Sequence, residues 1–326
     1  MYIPTSRFSL WVDFIERTFL EERFKELIGQ GIITGATSNP AIFKNAILTS
    51  SAYKEQLSTL GHLSPKEKYE SVAIFDIQKA ADILRPLYNM GDDGYVSIEV
   101  DPFLCDDTQS TTQEGIRLFE TINRPNVMIK VPATPAGYGA MEALASRGIP
   151  VNATLVFSSE QALQCANAFA NASKNSEPVD TVISVFVSRI DRAIDEQLQS
   201  AGVESGLMGI MNAAEIYTEV EALNVPKCRV LFASTGVKGD DFRASYYIDE
   251  LLASNSVNTA PIATIDAYVA RGDKTIKLPL SSEKIEIYKQ KVKDAGVEME
   301  RVIEGQIHDG LEAFKSAFHE ILTALE

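Results

Sequence analysis

The run VMIKVP at residues 127–132 sets a lysine into an otherwise apolar stretch. Its length and β-branched content are those of a strand. Side chains alternate along a strand, so Val127, Ile129 and Val131 share one face while Met128 and Lys130 share the other. The apolar set suits a surface covered by helices, which turns Lys130 toward the opposite side.

Working outward from this run, similar stretches recur at 9–14 (SLWVDF), 32–37 (IITGAT), 96–101 (VSIEVD), 151–157 (VNATLVF), 182–188 (VISVFVS) and 229–235 (RVLFAST), with a shorter one at 256–261 (SVNTAP). Longer segments of helical period separate them, as in βα units with a parallel sheet. The fold class this predicts is α/β, a single (β/α)8 TIM-type barrel with additional C-terminal helices. Phe14, Ile15, Phe19, Leu20, Phe24, Leu27 and Ile28 mark the first helix, with Gly29 as its stop. Thr111 with Glu114, Ser158 with Gln161, and Ser188 with Asp191 have the spacing of capping boxes. Toward the C-terminus, Ile307, Leu311, Phe314, Phe318, Ile321, Leu322 and Leu325 mark one apolar helical face, expected to pack on the barrel's outside or mouth. No linker or tandem repeat divides the chain, so residues 1–326 are read as one catalytic domain, with about 281–326 as the C-terminal helices.

The chain has 326 residues, and α/β barrels often exceed the rough prior of ~150 residues per domain. Hydrophobic residues make up 45% and charged residues 23%, enough apolar surface for a sizeable core. Thirty basic against 45 acidic residues give a net charge of −15. Such a field repels nucleic-acid phosphates and anionic membranes, so neither is an expected partner. It also repels phosphorylated metabolites, so an enzyme acting on them must concentrate a few cations at its site. Cys105, Cys165 and Cys228 show no CxxC or metal-ligand spacing and fit a reducing compartment. The N-terminal stretch MYIPTSRFSLWVDF lacks the pattern of a secretory signal, and no run approaches the ~18 apolar residues of a membrane span. A cytoplasmic protein is the simplest reading.

The polar residues that interrupt the strands carry the chemistry. By parity Ser97, Glu99 and Asp101 face inward with Lys130, as do Asn152 and Thr154; SLWVDF contributes Asp13, IITGATSN contributes Thr37 with Asn39 beyond the strand, and VISVFVS contributes Ser184. A buried charge is costly unless paired or shifted in pKa. A salt bridge would explain one such residue; the same feature on six strands points instead to an active site at the C-terminal strand ends. His62, His308 and His319 lie away from every strand, so a histidine metal site and a Ser-His-Asp triad both lack their parts. Lysine with carboxylates remains. A desolvated lysine amine attacks a ketone, and the resulting iminium accepts the electron pair of a breaking carbon–carbon bond.

Taken together, SLWVDF, GATSNPAIF, VSIEVDP, MIKVPAT, VNATLVFS, SVFVSRIDRAID and FASTGVKG, in order from about residue 9 to about 270, resemble the transaldolase family, particularly its longer variants. MIKVPAT is the most specific of them, since in that family it frames the Schiff-base lysine. The resemblance implies Lys130 as nucleophile and Asp13 as the general acid/base on the C4 hydroxyl. It implies that Glu99, with Thr154 and a bound water, moves protons during carbinolamine formation and dehydration. Thr37, Asn39, Ser97, Asn152 and Ser184 would hold the hydroxyls of a retained dihydroxyacetone unit. Arg189, entering a helix after the sixth strand, would bind the substrate phosphate. FASTGVKG departs from shorter family members, which carry Ser-Phe-Arg there; Lys238 is the candidate for a second phosphate contact.

The resemblance implies a ping-pong transfer from sedoheptulose 7-phosphate or fructose 6-phosphate to glyceraldehyde 3-phosphate or erythrose 4-phosphate, in the non-oxidative pentose phosphate pathway, with no cofactor and no metal. A fructose-6-phosphate aldolase releasing free dihydroxyacetone is the alternative, and a non-catalytic sugar-phosphate-binding barrel a more distant one. Monomer and homodimer both remain open. Asp101, Asp106 and Asp107 are read as solvated or helix-capping residues, Trp11 as core, and Cys165 as a small core residue.

Overall fold

Each strand's inward set finds its match on the next strand, and the last matches the first. The structure, a computed structural model, describes residues 6–91 and 93–326. Residues 1–5, part of the stretch read above as lacking a secretory signal, lie outside the described residues.

From the N-terminal side, β1 (Ser9–Val12) leads through α1 (Arg17–Glu21) and α2 (Arg23–Gly29) to β2 (Gly35–Ala36). Then come α3 (Pro40–Thr49), α4 (Lys54–Thr59), α5 (Pro65–Met90) and β3 (Tyr95–Glu99). α6 (Thr108–Ile122) precedes β4 (Val127–Pro132), α7 (Pro135–Ala145) precedes β5 (Val151–Val156), and α8 (Ser159–Asn175) precedes β6 (Thr181–Phe186). α9 (Ser188–Ser200) and α10 (Met208–Ala222) lead to β7 (Cys228–Ala233), and α11 (Tyr246–Glu250) to β8 (Ser256–Ala260). α12 (Ile262–Arg271), α13 (Ser282–Asp294) and α14 (Met299–Ala324) follow.

The strands form a closed parallel barrel in sequence order, the expected (β/α)8 arrangement. The register runs Trp11 to Gly35, Gly35 to Tyr95, Ser97 to Met128, Glu99 to Lys130, Lys130 to Asn152, Ser184 to Leu231 and Thr259 back to Trp11. Paired residues of parallel strands share a face, so this ring is the interior. A Cβ at Gly35 would stand 2.6 Å from the Trp11 ring, so only glycine lets the buried indole cross the barrel there.

At the N-terminal end the interior is polar. Arg229 pairs with Asp93 and donates to Ser9 Oγ at 3.1 Å. Trp11 Nε1 and Thr34 Oγ1 each donate to Asp93 Oδ2 at 3.0 Å. The guanidinium and carboxylate are almost fully enclosed and satisfied on several sides, the condition under which a buried ion pair is tolerated.

The opposite end is crossed by α14. Phe318 on this helix packs edge-on against Tyr69, with ring centroids 5.3 Å apart. A Cβ at Gly310 would lie 2.9 Å from Leu155 Cδ2 and 3.6 Å from Arg189 Nη1. The apolar face ending in Phe314, Phe318, Ile321 and Leu325 is buried, and the helix lies over the barrel mouth.

Several local expectations are corrected. The first helix is two, broken at Glu22, and the chain turns at Gly31 (φ +66°), two residues past Gly29. α6 is capped by Asp107, which accepts from Ser110 N at 2.9 Å. Thr111 therefore lies inside the helix, and Glu114 pairs with Lys66 and Arg117. Ser188 is the first residue of α9 and makes no cap; Asp191 accepts instead from Gly209 N at 2.7 Å and Tyr247 Oη at 2.9 Å. Ser158 does cap α8, accepting from Gln161 N at 3.1 Å. Asp101 does not point inward: β3 ends at Glu99, alternation stops there, and Asp101 accepts from Phe103 N at 3.0 Å and Lys66 Nζ at 2.7 Å.

Candidate active site

Asp13 sits one residue past β1, where its N–H donates to Ala260 O on β8 at 2.8 Å. Thr37, one residue past β2, donates its hydroxyl to Asp13 Oδ1 at 2.6 Å and lies 2.7 Å from Thr259 Oγ1. Burial pushes the Asp13 carboxyl up, against the opposing pull of Lys130, the Thr37 hydroxyl and Arg189. Three of the expected residues thus act on one another across β1, β2 and β4.

Lys130, only 5% exposed, projects from the middle of β4. Its Nζ donates to the Ser38 carbonyl at 3.0 Å and stands 3.7 Å from Glu99 Oε2 on the adjacent strand. The second distance is an ion pair too long for a hydrogen bond. Both Glu99 oxygens are buried with no hydrogen-bond partner among the described residues, as is Thr154 Oγ1. Burial pushes Glu99 up to about 7, with Lys130 pulling down and Asp13 adding to the rise. At neutral pH this carboxyl is therefore balanced between its two protonation states, as a proton-transfer group requires.

Below the lysine, Ser184 Oγ donates to Asn152 Oδ1 at 2.7 Å, and Asn152 Nδ2 donates to Ser97 Oγ at 3.0 Å. The three buried residues form one chain across the barrel, leaving the Ser97 hydroxyl proton and one Asn152 amide proton to donate elsewhere. Asn39 is half-buried and caps α3, its Oδ1 accepting from Ile42 N at 3.0 Å. Its amide nitrogen makes no hydrogen bond among the described residues.

Arg189 lies in the first turn of α9, with its guanidinium 5.2 Å from the Phe186 ring centroid. Burial pulls its pKa down, Arg192 adds to the fall, and Asp309 and Asp13 oppose it. It makes no ion pair among the described residues and faces the mouth beneath α14. Lys238 is exposed on the segment after β7 and likewise makes no ion pair among the described residues.

Two contacts escaped sequence reasoning. The Ser38 carbonyl receives Lys130, and a backbone acceptor carries no side-chain signature. Thr259 was within reach of parity, since SVNTAP puts it on the same face as Val257. Among the described residues, no group of three or more His, Cys, Asp or Glu side chains is arranged to hold a metal ion, and no helix is long and apolar enough to cross a membrane.

A parallel barrel with a buried lysine beside Glu99 and acting on Asp13, and an arginine at its mouth without an ion pair among the described residues, defines a class of lysine-centred barrel sites. The family model described as Transaldolase/Fructose-6-phosphate aldolase matches residues 10–325. A transaldolase of Campylobacter jejuni subsp. jejuni serotype O:23/36 (strain 81-176) is 46% identical over 98% of this chain and 99% of its own length. A transaldolase of Helicobacter pylori (strain Shi470) is 42% identical over 97% of this chain and 99% of its own length. The chain belongs to the transaldolase/fructose-6-phosphate aldolase family, and with it to the transferase enzymes.

Proposed function

We propose that the chain transfers a dihydroxyacetone unit between sugar phosphates through a Schiff base on Lys130. The observation that carries this is the buried Lys130 Nζ 3.7 Å from Glu99, with its charge drawing down the pKa of Asp13 against the effect of burial. The Lys130 amine adds to C2 of the donor ketose phosphate, and Glu99, assisted by Thr154, supplies the proton with which the carbinolamine oxygen leaves as water. Asp13 takes the proton of the C4 hydroxyl. The C3–C4 bond then breaks, its electron pair passes into the iminium, and the aldose phosphate departs. The acceptor aldehyde reverses these steps, and water releases the product from the lysine. Because the iminium itself receives the electron pair, no metal or cofactor enters this scheme.

Thr37, Asn39, Ser97, Asn152 and Ser184 hold the hydroxyls of the retained unit, so the second half-reaction begins from a fixed geometry. Arg189 binds the phosphate, with Lys238 reaching it as a point charge from its segment. The whole chain serves as one catalytic unit, completed by the C-terminal helices. Sedoheptulose 7-phosphate and fructose 6-phosphate are the donors; glyceraldehyde 3-phosphate and erythrose 4-phosphate are the acceptors. Three buried free cysteines support a reducing, cytoplasmic setting.

The family description also covers fructose-6-phosphate aldolase, which gives a second reading: cleavage with release of dihydroxyacetone to water. The names of the relatives at 42–46% identity favour transfer. The test is borohydride trapping with fructose 6-phosphate, followed by peptide mass spectrometry. A reduced three-carbon adduct on Lys130 is expected, and an unmodified Lys130 overturns the mechanism. Rapid release of free dihydroxyacetone without acceptor would select the aldolase.

A further inference from the structure

Arg192 follows Arg189 by three residues on α9, the spacing that puts two side chains on one helical face. It is exposed, yet it does not extend away from the mouth: its Nε donates back along the helix to Ser188 O at 3.3 Å. Ser188 is the first residue of α9, and its hydroxyl lies 3.1 Å from Ser234 Oγ, just beyond β7. The Arg192 guanidinium is thus folded toward the junction where β6 and β7 deliver their chains to the mouth. Its charge is felt by Arg189, whose pKa it pulls down.

Two guanidinium groups held on one face repel one another, and at Arg189 the opposing carboxylate of Asp309 is a smaller influence than Arg192. In a chain of net charge −15, acidic partners are plentiful, and most arginines among the described residues have taken one. Seven of the thirteen arginines, namely Arg17, Arg23, Arg117, Arg124, Arg229, Arg243 and Arg301, are ion-paired among the described residues. Arg189 and Arg192 are not. An anion placed between them removes the repulsion and gains charge-assisted hydrogen bonds from both, and the hydroxyls of Ser188 and Ser234 stand beside the same junction.

We propose that Arg192 is a specificity-determining residue that completes the phosphate site around Arg189, so that a phosphomonoester is clamped by two guanidinium groups. This rests on the reading of Arg189 as the phosphate-binding residue given above. Arg192 selects for the phosphate of the substrate and takes no part in chemistry at C2–C4.

The test compares the wild-type enzyme with Arg192→Gln and Arg192→Lys, using fructose 6-phosphate and unphosphorylated fructose as donors and inorganic phosphate as a competing probe. For Arg192→Gln, the ratio of kcat/KM for fructose 6-phosphate to that for fructose is expected to fall about tenfold, mainly through KM for the phosphate ester. The inhibition constant of inorganic phosphate should rise in parallel, with Arg192→Lys intermediate. An unchanged ratio with unchanged phosphate inhibition, or an equal loss with both donors, overturns the proposal. Borohydride trapping on Lys130 at saturating fructose 6-phosphate keeps the two readings apart: its failure in the wild-type enzyme would remove the Schiff-base mechanism, whereas its persistence in Arg192→Gln with an unaltered donor ratio would remove only the role of Arg192.

Discussion

The hydroxyl of Thr37 stands 2.6 Å from Asp13 Oδ1 and 2.7 Å from Thr259 Oγ1. A hydroxyl carries one proton, and a carboxylate can only accept, so Thr37 donates to Asp13 and Thr259 donates to Thr37. Asp13 is therefore oriented by a relay that begins on β8. Thr37→Val keeps the shape and removes the relay. The Thr37 hydrogen bond holds the Asp13 pKa down, so its loss should move the acid limb of the kcat profile to higher pH and slow cleavage roughly tenfold. Steady-state pH profiles of the two proteins check both effects.

Asp13→Ala separates imine formation from bond cleavage. Turnover should fall by roughly 10²–10⁴, the range for loss of a positioned acid/base group, while borohydride still traps the intact six-carbon donor on Lys130. Mass spectrometry reads the difference directly, because the adduct retains the carbons that the wild-type enzyme releases. Full turnover in this variant would remove Asp13 from its role.

Glu99 is pushed up to about 7 by burial, so it is mostly protonated at pH 6 and mostly ionised at pH 8. As the acid that assists loss of water from the carbinolamine, it should give a rate of adduct formation that declines as pH rises through about 7. Glu99→Gln should lower that rate and flatten the inflection. Rapid-quench trapping across pH 5.5–8.5, a range of about three units centred on this value, distinguishes the two profiles.

Asp93 accepts from Arg229, Trp11 and Thr34 at the closed end of the barrel. Asp93→Ala leaves the Arg229 charge enclosed without its partner and two further donors without an acceptor. The expected loss is about 3–5 kcal/mol of stability, read as a lower urea midpoint. Because the site lies at the other end of the strands, kcat in the folded fraction should change much less.

Asp191 is fully buried, and burial pushes it up to about 7 from an ordinary value of 3.8. Between those values the native state holds a proton that the unfolded chain has lost, so this group makes stability fall as pH rises from about 4 to about 7 and adds no further slope above. Asp191→Asn lacks that slope. Its stability relative to wild type should improve across the same window, by at most about 4 kcal/mol for a shift of some three units. Denaturation midpoints at pH 4.5 and pH 7.5 test the sign.

The barrel was legible in the sequence because alternation on a strand is a hard geometric rule. Once VMIKVP and VSIEVD are strands, Lys130 and Glu99 must face inward, and the register then makes them neighbours. Sequence reading failed where tertiary partners outcompeted local ones. Ser188 and Asp191 have capping-box spacing, but Ser234 lies at hydrogen-bond distance from the one, and Gly209 and Tyr247 donate to the other. Asp107 caps α6 one turn before Thr111, whose hydroxyl donates to Leu104 O. Ser38 was invisible for another reason: it presents Lys130 with backbone, and any residue there offers the same carbonyl.

Gly310 brings α14 against Leu155 and Arg189, so one wall of the mouth is supplied by the last long helix of the chain. During synthesis the eight strands leave the ribosome well before that wall does. A nascent chain paused after β8 contains all eight strands together with Asp13, Glu99 and Lys130, but not the helix that walls the mouth. A stop codon upstream of Met299 would therefore delete this wall of the mouth while leaving Asp13, Glu99 and Lys130 in the encoded chain.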